Sequence, residues 1–170
     1  MKNDFIFRKA NIKDLKEILR LNLKLFKEEY KNFDKSLNLN WTYKNAEYFK
    51  NRIIKNDGFV EVVESKEKII GYLCGGNRAL EGLDYRKKAK YAELENMLIE
   101  KIFRSKGLGA KLVKHFISWC EKNKIDCLSV IASAENKPTI EFYRKLGFEN
   151  YDLILEMNIN KKPVRRNKKC

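Results

Sequence analysis

Arg104-Ser105-Lys106-Gly107-Leu108-Gly109-Ala110 is the stretch of this chain best suited to hold a polyanion. It follows an extended apolar run, Met97-Leu98-Ile99, and opens an amphipathic helix. Amides at the start of a helix lack an internal acceptor and carry partial positive charge. Two glycines let several of them point into one concavity. Arg104, Lys106 and Lys111 add cationic side chains, so a phosphate-rich anion is the ligand these residues suit. A P-loop would need Gly-x-x-x-x-Gly-Lys-Ser/Thr, which is absent. A dinucleotide fingerprint would need a third small residue where Leu112 stands, and it belongs at the first strand–helix turn of a fold.

A second segment follows: Ala134-Glu135-Asn136-Lys137-Pro138-Thr139-Ile140-Glu141-Phe142-Tyr143-Arg144-Lys145-Leu146-Gly147-Phe148. The first stretch resembles the Arg/Gln-x-x-Gly-x-Gly/Ala pyrophosphate loop of the GNAT superfamily of acetyl-CoA-dependent N-acetyltransferases. The second resembles that family's Asn-x-x-x-(Ile)-x-Phe-Tyr-x-x-x-Gly-Phe segment. Two motifs in the right order and at the right separation are much harder to meet by chance than either alone. The resemblance implies acetyl-CoA as co-substrate and no metal. It places the pantetheine arm along the backbone of Met97, Leu98 and Ile99. The pyrophosphate falls to the loop opened by Arg104, on the amides of Ser105, Lys106, Gly107, Leu108, Gly109 and Ala110. Asn136 corresponds to a polar cofactor contact. Ser105 stands where many members carry glycine, which is tolerable if its amide makes the contact.

Acetyl transfer needs a held thioester, a neutral amine and somewhere for charge to go. A lysine-like amine has a pKa of roughly 10.4, so neutralising it at pH 7 costs about 5 kcal/mol. A carboxylate that takes the proton, directly or through water, is therefore useful. Strand alternation puts Glu93, Glu95, Met97 and Ile99 on one face, with Ala92, Leu94, Asn96 and Leu98 on the other. Family members use a glutamate at the place of either Glu93 or Glu95. Glu93 is preferred as base here, with Glu95 as an amine contact or alternate base. That both merely line a polar cleft is an equally open reading. An N–H of the same strand would steady negative charge on the attacked carbonyl oxygen. Tyr143 matches the family's general acid, which protonates the leaving thiolate. Outside such a motif, a helix tyrosine beside Phe142 would be core packing with a wet hydroxyl.

The elements that must position these residues are legible from periodicity. Phe5-Ile6-Phe7-Arg8-Lys9 predicts an opening strand. Asn11 reads as an N-cap, and Ile12, Leu15, Ile18, Leu19, Asn22 and Phe26 predict a helix to about Lys31. A second helix has Thr42 as its cap and Ala46, Phe49 and Ile53 on one face. Asp57-Gly58 marks a turn before a hairpin, 59–64 with 68–75, around Ser65-Lys66-Glu67. A charged loop at 79–88, a strand at 91–99 and a helix at 107–122 follow, the helix with Leu112, Phe116, Ile117 and Cys120 inward. A short buried strand at 128–131 precedes a helix with Pro138 in its first turn and Gly147 at its close. Residues 148–159 supply a final extended stretch. The expected fold is α/β, a single GNAT-like domain over residues 1–160. It has a mixed, mostly antiparallel sheet of six to seven strands flanked by about four helices. Residues 161–170 form a basic tail expected to be disordered.

At 170 residues with 44% apolar content the chain can build one sizeable core. Its apolar runs are too short to span a bilayer, and no secretory signal is evident, so a cytoplasmic protein with no membrane partner is expected. Cys74, Cys120, Cys127 and Cys170 show no metal-ligand spacing and read as reduced thiols. Cys120 and Cys127 read as buried small hydrophobes, and His115 as a structural histidine. The net charge of +14 invites a nucleic-acid reading, but six of the Lys/Arg lie in the last ten residues and the rest are dispersed over helix faces. Nucleic acid is therefore not the expected partner. Glu28, Glu29, Asp34, Trp41, Tyr43 and Tyr48 suggest an acidic–aromatic wall for a cationic amine, unless the acids are solvated and the aromatics core. The leading expectation is direct transfer, in a ternary complex, to a small-molecule amine. Acetylation of a protein N-terminus or lysine, and a non-catalytic acetyl-CoA-binding or nucleic-acid-binding module, stay open. So does a homodimer.

Overall fold

A computed structural model describes residues 5–79, 89–157 and 159. Five strands form one sheet in the order β1-β2-β3-β4-β5: β1 (Ile6–Lys9), β2 (Gly58–Ser65), β3 (Lys68–Arg78), β4 (Tyr91–Ile99) and β5 (Cys127–Val130). Neighbours are antiparallel except β4 and β5, which run parallel. The helices are α1 (Leu15–Asn32), α2 (Trp41–Lys44), α3 (Ala46–Ile54), α4 (Leu108–Lys122) and α5 (Lys137–Arg144). The α/β architecture is the expected one, with five strands among the described residues rather than six or seven. Residues 149–157 join no strand among the described residues. Leu153, Ile154, Leu155 and Met157 there are exposed. An alternating apolar run becomes a strand only when a sheet edge receives it. Residues 80–88 of the expected charged loop, and the tail at 161–170, lie outside the described residues.

The sheet is covered on both faces. Against one lie α4 and α5, with Leu73, Ala92, Leu94, Leu112, Val113, Phe116 and Tyr143 buried together. Against the other lie α1 and α3, with Ile18, Leu21, Phe49, Ile53, Val60, Val62 and Tyr72. The helices sit there because their apolar residues recur every three or four positions and form one stripe.

Local chemistry sets the ends of these elements. Asn11 caps a single 3₁₀ turn that leads into α1. Its side chain accepts from the Lys13 amide at 2.9 Å, and Asp14 accepts from the Asn11 amide at 2.8 Å. Thr42 is not a cap. It is buried within α2 and donates its hydroxyl to Asn22 at 2.6 Å, because a completely buried asparagine needs partners more than a helix start does. Gly58 permits close approach: a Cβ there would strike the Arg52 carbonyl at the end of α3. The hairpin turns through Lys66 and Glu67, both left-handed at φ 50° and 62°. β5 is half-buried rather than buried, and Cys127 at its start is exposed, since no strand covers its outer edge among the described residues.

Candidate active site

β4 carries the two glutamates, and its irregularity decides where they point. Opposite β3, Leu94 pairs with Gly75 and Asn96 with Cys74, so Glu95 is one residue in excess. Such a bulge breaks strict alternation. Glu93, Glu95, Asn96 and Leu98 therefore share the face toward α1 and α3, while Ala92, Leu94, Met97 and Ile99 join the core under α4. The expected grouping of Met97 and Ile99 with the glutamates fails for this reason.

Glu95 is enclosed. The Arg52 guanidinium pairs with its carboxylate, the Tyr48 hydroxyl donates to it, and the Cys74 thiol lies 3.9 Å away. Burial and the adjacent carboxylate push the Tyr48 phenol well above its ordinary range. Gly76 makes room for this arrangement, since a Cβ would meet the Arg52 guanidinium at 2.7 Å. Glu93 is held more loosely. Its one ion-pair partner among the described residues is Arg78, at 3.3 Å. Burial raises its carboxyl above the usual carboxylate range, with Arg78 opposing and Glu95 adding to the shift. A polar string continues behind the bulge. Asn22 donates to the Tyr72 hydroxyl and to Asn96, both at 3.0 Å, tying α1 to the strand.

β5 pairs with β4 only from Tyr91 to Leu94. Beyond that point residues 95–99 present their β5-side edge to no strand among the described residues. This open edge leads into the glycine loop. A 3₁₀ turn over Lys101–Phe103 reverses the chain, and Ser105 (φ 62°) and Gly107 (φ 76°) take left-handed conformations before α4. The amides of residues 105–110 find no backbone acceptor among the described residues. The three cations expected around an anion are partly engaged elsewhere. Arg104 donates to the Ile99 carbonyl at 2.8 Å and pairs with Glu28 at 2.7 Å. The Lys106 ammonium lies over Phe5 and Phe103, and that of Lys111 lies 4.3 Å from the Phe7 ring centroid. Backbone amides are thus the main anion donors on offer. Gly109 lies where α4, β4 and α5 converge, facing Phe142 and Met97.

α5 supplies the third part. Asn136 is its N-cap, accepting from the Thr139 amide at 3.3 Å and donating to Glu29 of α1 at 3.0 Å. Tyr143 is 7% exposed, against Phe142 and Phe148. Burial, with Glu29 nearby, pushes its phenol far above the ordinary value. Burial likewise raises the Glu29 carboxyl, which the Asn136 amide partly offsets.

The expected acidic–aromatic wall does not form one surface. Trp41 stacks on Phe26 and Tyr43 is exposed. Asp34 bonds Ser36, Glu28 goes to Arg104, and only Tyr48 reaches the β4 carboxylates. His115 stands 2.9 Å from the buried Glu61. Arg52 and Arg78 were missed as parts of the site, and Glu29, expected in the acceptor wall, instead holds Asn136. Arg52 stands four residues after Tyr48 and so on the same helix face, a readable signal once Tyr48 is placed. Arg78 carries no such signal, because its partners are distant in sequence.

Among the described residues no helix is long and apolar enough to cross a membrane. Comparison with known proteins gives one consistent picture. The model of the acetyltransferase (GNAT) family matches residues 20–148. An uncharacterised N-acetyltransferase of Methanocaldococcus jannaschii is 26% identical over 136 residues, which is 78% of this chain and 57% of that protein. The chain thus spans little more than half the length of that curated relative. A tetramutant of the BH1408 protein of Bacillus halodurans superposes with a TM-score of 0.80 at 21% identity, over 91% of this chain and 99% of that one. The aminoglycoside N-acetyltransferase AAC(6')-Iy, solved with CoA, gives 0.72 at 14% identity, over 95% and 98%. At these identities the two structures establish likeness of fold.

Proposed function

The chain belongs to the GNAT family of acetyltransferases, and on that premise we propose that it moves the acetyl group of acetyl-CoA directly to a small-molecule primary amine in a ternary complex. The observation that carries the reading is the unpaired edge of β4 at 95–99, running into left-handed Ser105 and Gly107 with acceptor-free amides. These groups fit the co-substrate: a strand edge suits an amide-bearing arm, and converging amides suit a diphosphate. Bound there, acetyl-CoA supplies an activated acetyl group as a thioester.

This chain's residues do the rest. Glu93, partly exposed on the face toward α1 and α3 and loosely paired, takes the ammonium proton. The amine nitrogen then bonds to the acetyl carbon as the carbon–sulfur bond breaks. Tyr143, which burial keeps protonated, gives its proton to the departing sulfur, and the second proton that nitrogen sheds on becoming an amide restores the phenol. Glu95 serves as a fixed acceptor contact, because Arg52 and Tyr48 already occupy its carboxylate. Asn136, steadied by Glu29 and by its capping role, contacts the co-substrate arm. A small-molecule acceptor is supported by the fold shared with an aminoglycoside acetyltransferase.

Calorimetry with acetyl-CoA, followed by thiol release across a panel of small amines, tests this reading. Saturable binding and turnover of at least one amine are expected. Absence of acetyl-CoA binding would overturn it.

A further inference from the structure

The sheet face beside α3 places opposite charges in one short row. Gly76, Glu93 and Ser129 are direct neighbours across β3, β4 and β5. Arg78, two residues beyond Gly76 on β3, emerges on the same face. Its Nε stands 3.3 Å from Glu93, and its Nη1 donates to the Ser129 hydroxyl at 3.4 Å. Both contacts are at the long end for a guanidinium, and the Arg78 side chain is 40% exposed. Arg52 differs. It is 17% exposed and is held by Glu95 and the Asn77 carbonyl.

Among the described residues the cleft thus holds two carboxylates and two guanidiniums. One pair is closed, and the other is loose and reachable. We infer that the acceptor is a short amino carboxylate, typified by a free 2-amino acid, whose ammonium docks on Glu93 and whose carboxylate docks on Arg78. This assignment rests on the acetyltransferase reading and names its substrate class. An acceptor carrying only positive charge would set its second cation against Arg78. A zwitterion opens the Glu93–Arg78 contact and satisfies both halves at once. Because those halves are one contact apart, the acceptor's two charges must be joined by a short link. A planar guanidinium suits a carboxylate in a way that a point charge does not. In the transfer, the amine nitrogen bonds to the acetyl carbon while the carbon–sulfur bond breaks. The ammonium gives one proton to Glu93 and, as the amide forms, a second that replaces the one Tyr143 gives to sulfur, while the acceptor carboxylate stays unreacted on Arg78.

The test uses the full chain with acetyl-CoA and matched acceptors: 2-amino acids, the same side-chain amines lacking the carboxylate, a polyamine and an amino sugar. At least a tenfold higher kcat/KM for amino acids than for the matched amines is expected. Arg78→Gln should reduce that preference at least tenfold, through KM for the acid, with acetyl-CoA affinity held. Arg78→Lys should recover only part of it. Calorimetric titration of amino acid into the CoA-loaded protein should show binding that Arg78→Gln abolishes. Equal use of matched amines, preference for the polyamine or amino sugar, or an Arg78→Gln effect shared by all acceptors would overturn the assignment. So would no transfer to any acceptor while acetyl-CoA still binds, whereas loss of acetyl-CoA binding itself removes the parent reading as well.

Discussion

Glu93 and Tyr143 are two protonatable groups whose surroundings push both toward the protonated form, yet the roles proposed for them are opposite. Glu93 must be ionised to accept a proton, and burial lifts its carboxyl above the ordinary range. Activity should therefore rise with pH through a value higher than that of a free glutamate. Glu93→Gln should lower kcat about 100-fold or more and remove that limb from the pH–rate profile. A limb that survives the substitution would assign it to another group. Tyr143 must stay protonated to donate, and burial favours that state at neutral pH. Tyr143→Phe should lower kcat by about 100-fold with acetyl-CoA affinity nearly unchanged, as read by steady-state kinetics beside calorimetry. Glu95 is a different case. Removing it strands Arg52, whose side chain is 17% exposed, so Glu95→Ala should cost about 3 kcal/mol in urea unfolding as well as activity.

Two elements make the proposed co-substrate site: the β4 strand and the loop that follows it. The bulge at Glu95 rotates the strand so that two polar residues in succession, Glu95 and Asn96, face α1 and α3. The loop needs two left-handed residues, and the chain supplies glycine at only one of them. A non-glycine residue there costs about 1–2 kcal/mol. Ser105→Gly should thus raise stability by about 1 kcal/mol and leave acetyl-CoA binding intact, because the serine contributes its amide. Gly107→Ala should lose roughly the same amount and weaken acetyl-CoA binding, since the amide directions depend on that backbone. Thermal unfolding with and without acetyl-CoA distinguishes the two effects.

The whole molecule carries a formal charge of +14, and its proposed co-substrate is an anion. Salt should act in opposite directions on binding and on folding. Screening weakens the attraction of the anion, so KM for acetyl-CoA should rise with ionic strength over about 0.05–0.5 M, where the Debye length shortens from more than 10 Å toward a few Å. The same screening relieves self-repulsion, so Tm should rise modestly over that range. A KM that stays flat or falls while Tm rises would mean that surface charge does not steer the co-substrate. Burial on both faces of the sheet fixes the geometry: one apolar layer seats α4 and α5, and the other seats α1 and α3.

The sequence by itself determined the fold class, the glycine loop, the β4 segment and the first turn of α5, because each rests on local rules. Helical periodicity, the Asn11 cap, Pro138 in the first turn of α5 and the glycine spacing act within a few residues. Tertiary structure decided everything that depends on register. A one-residue bulge opposite Cys74 reversed the expected faces of Met97 and Ile99. It set Glu95 against Arg52, 43 positions away, and left Glu93 with the looser partner. It was also tertiary structure that dispersed the anticipated acidic–aromatic wall, sending Glu28 to Arg104 and Glu29 to Asn136. Side-chain alternation has a period of two, so a single inserted residue inverts it, and nothing local in the sequence announces where the insertion falls.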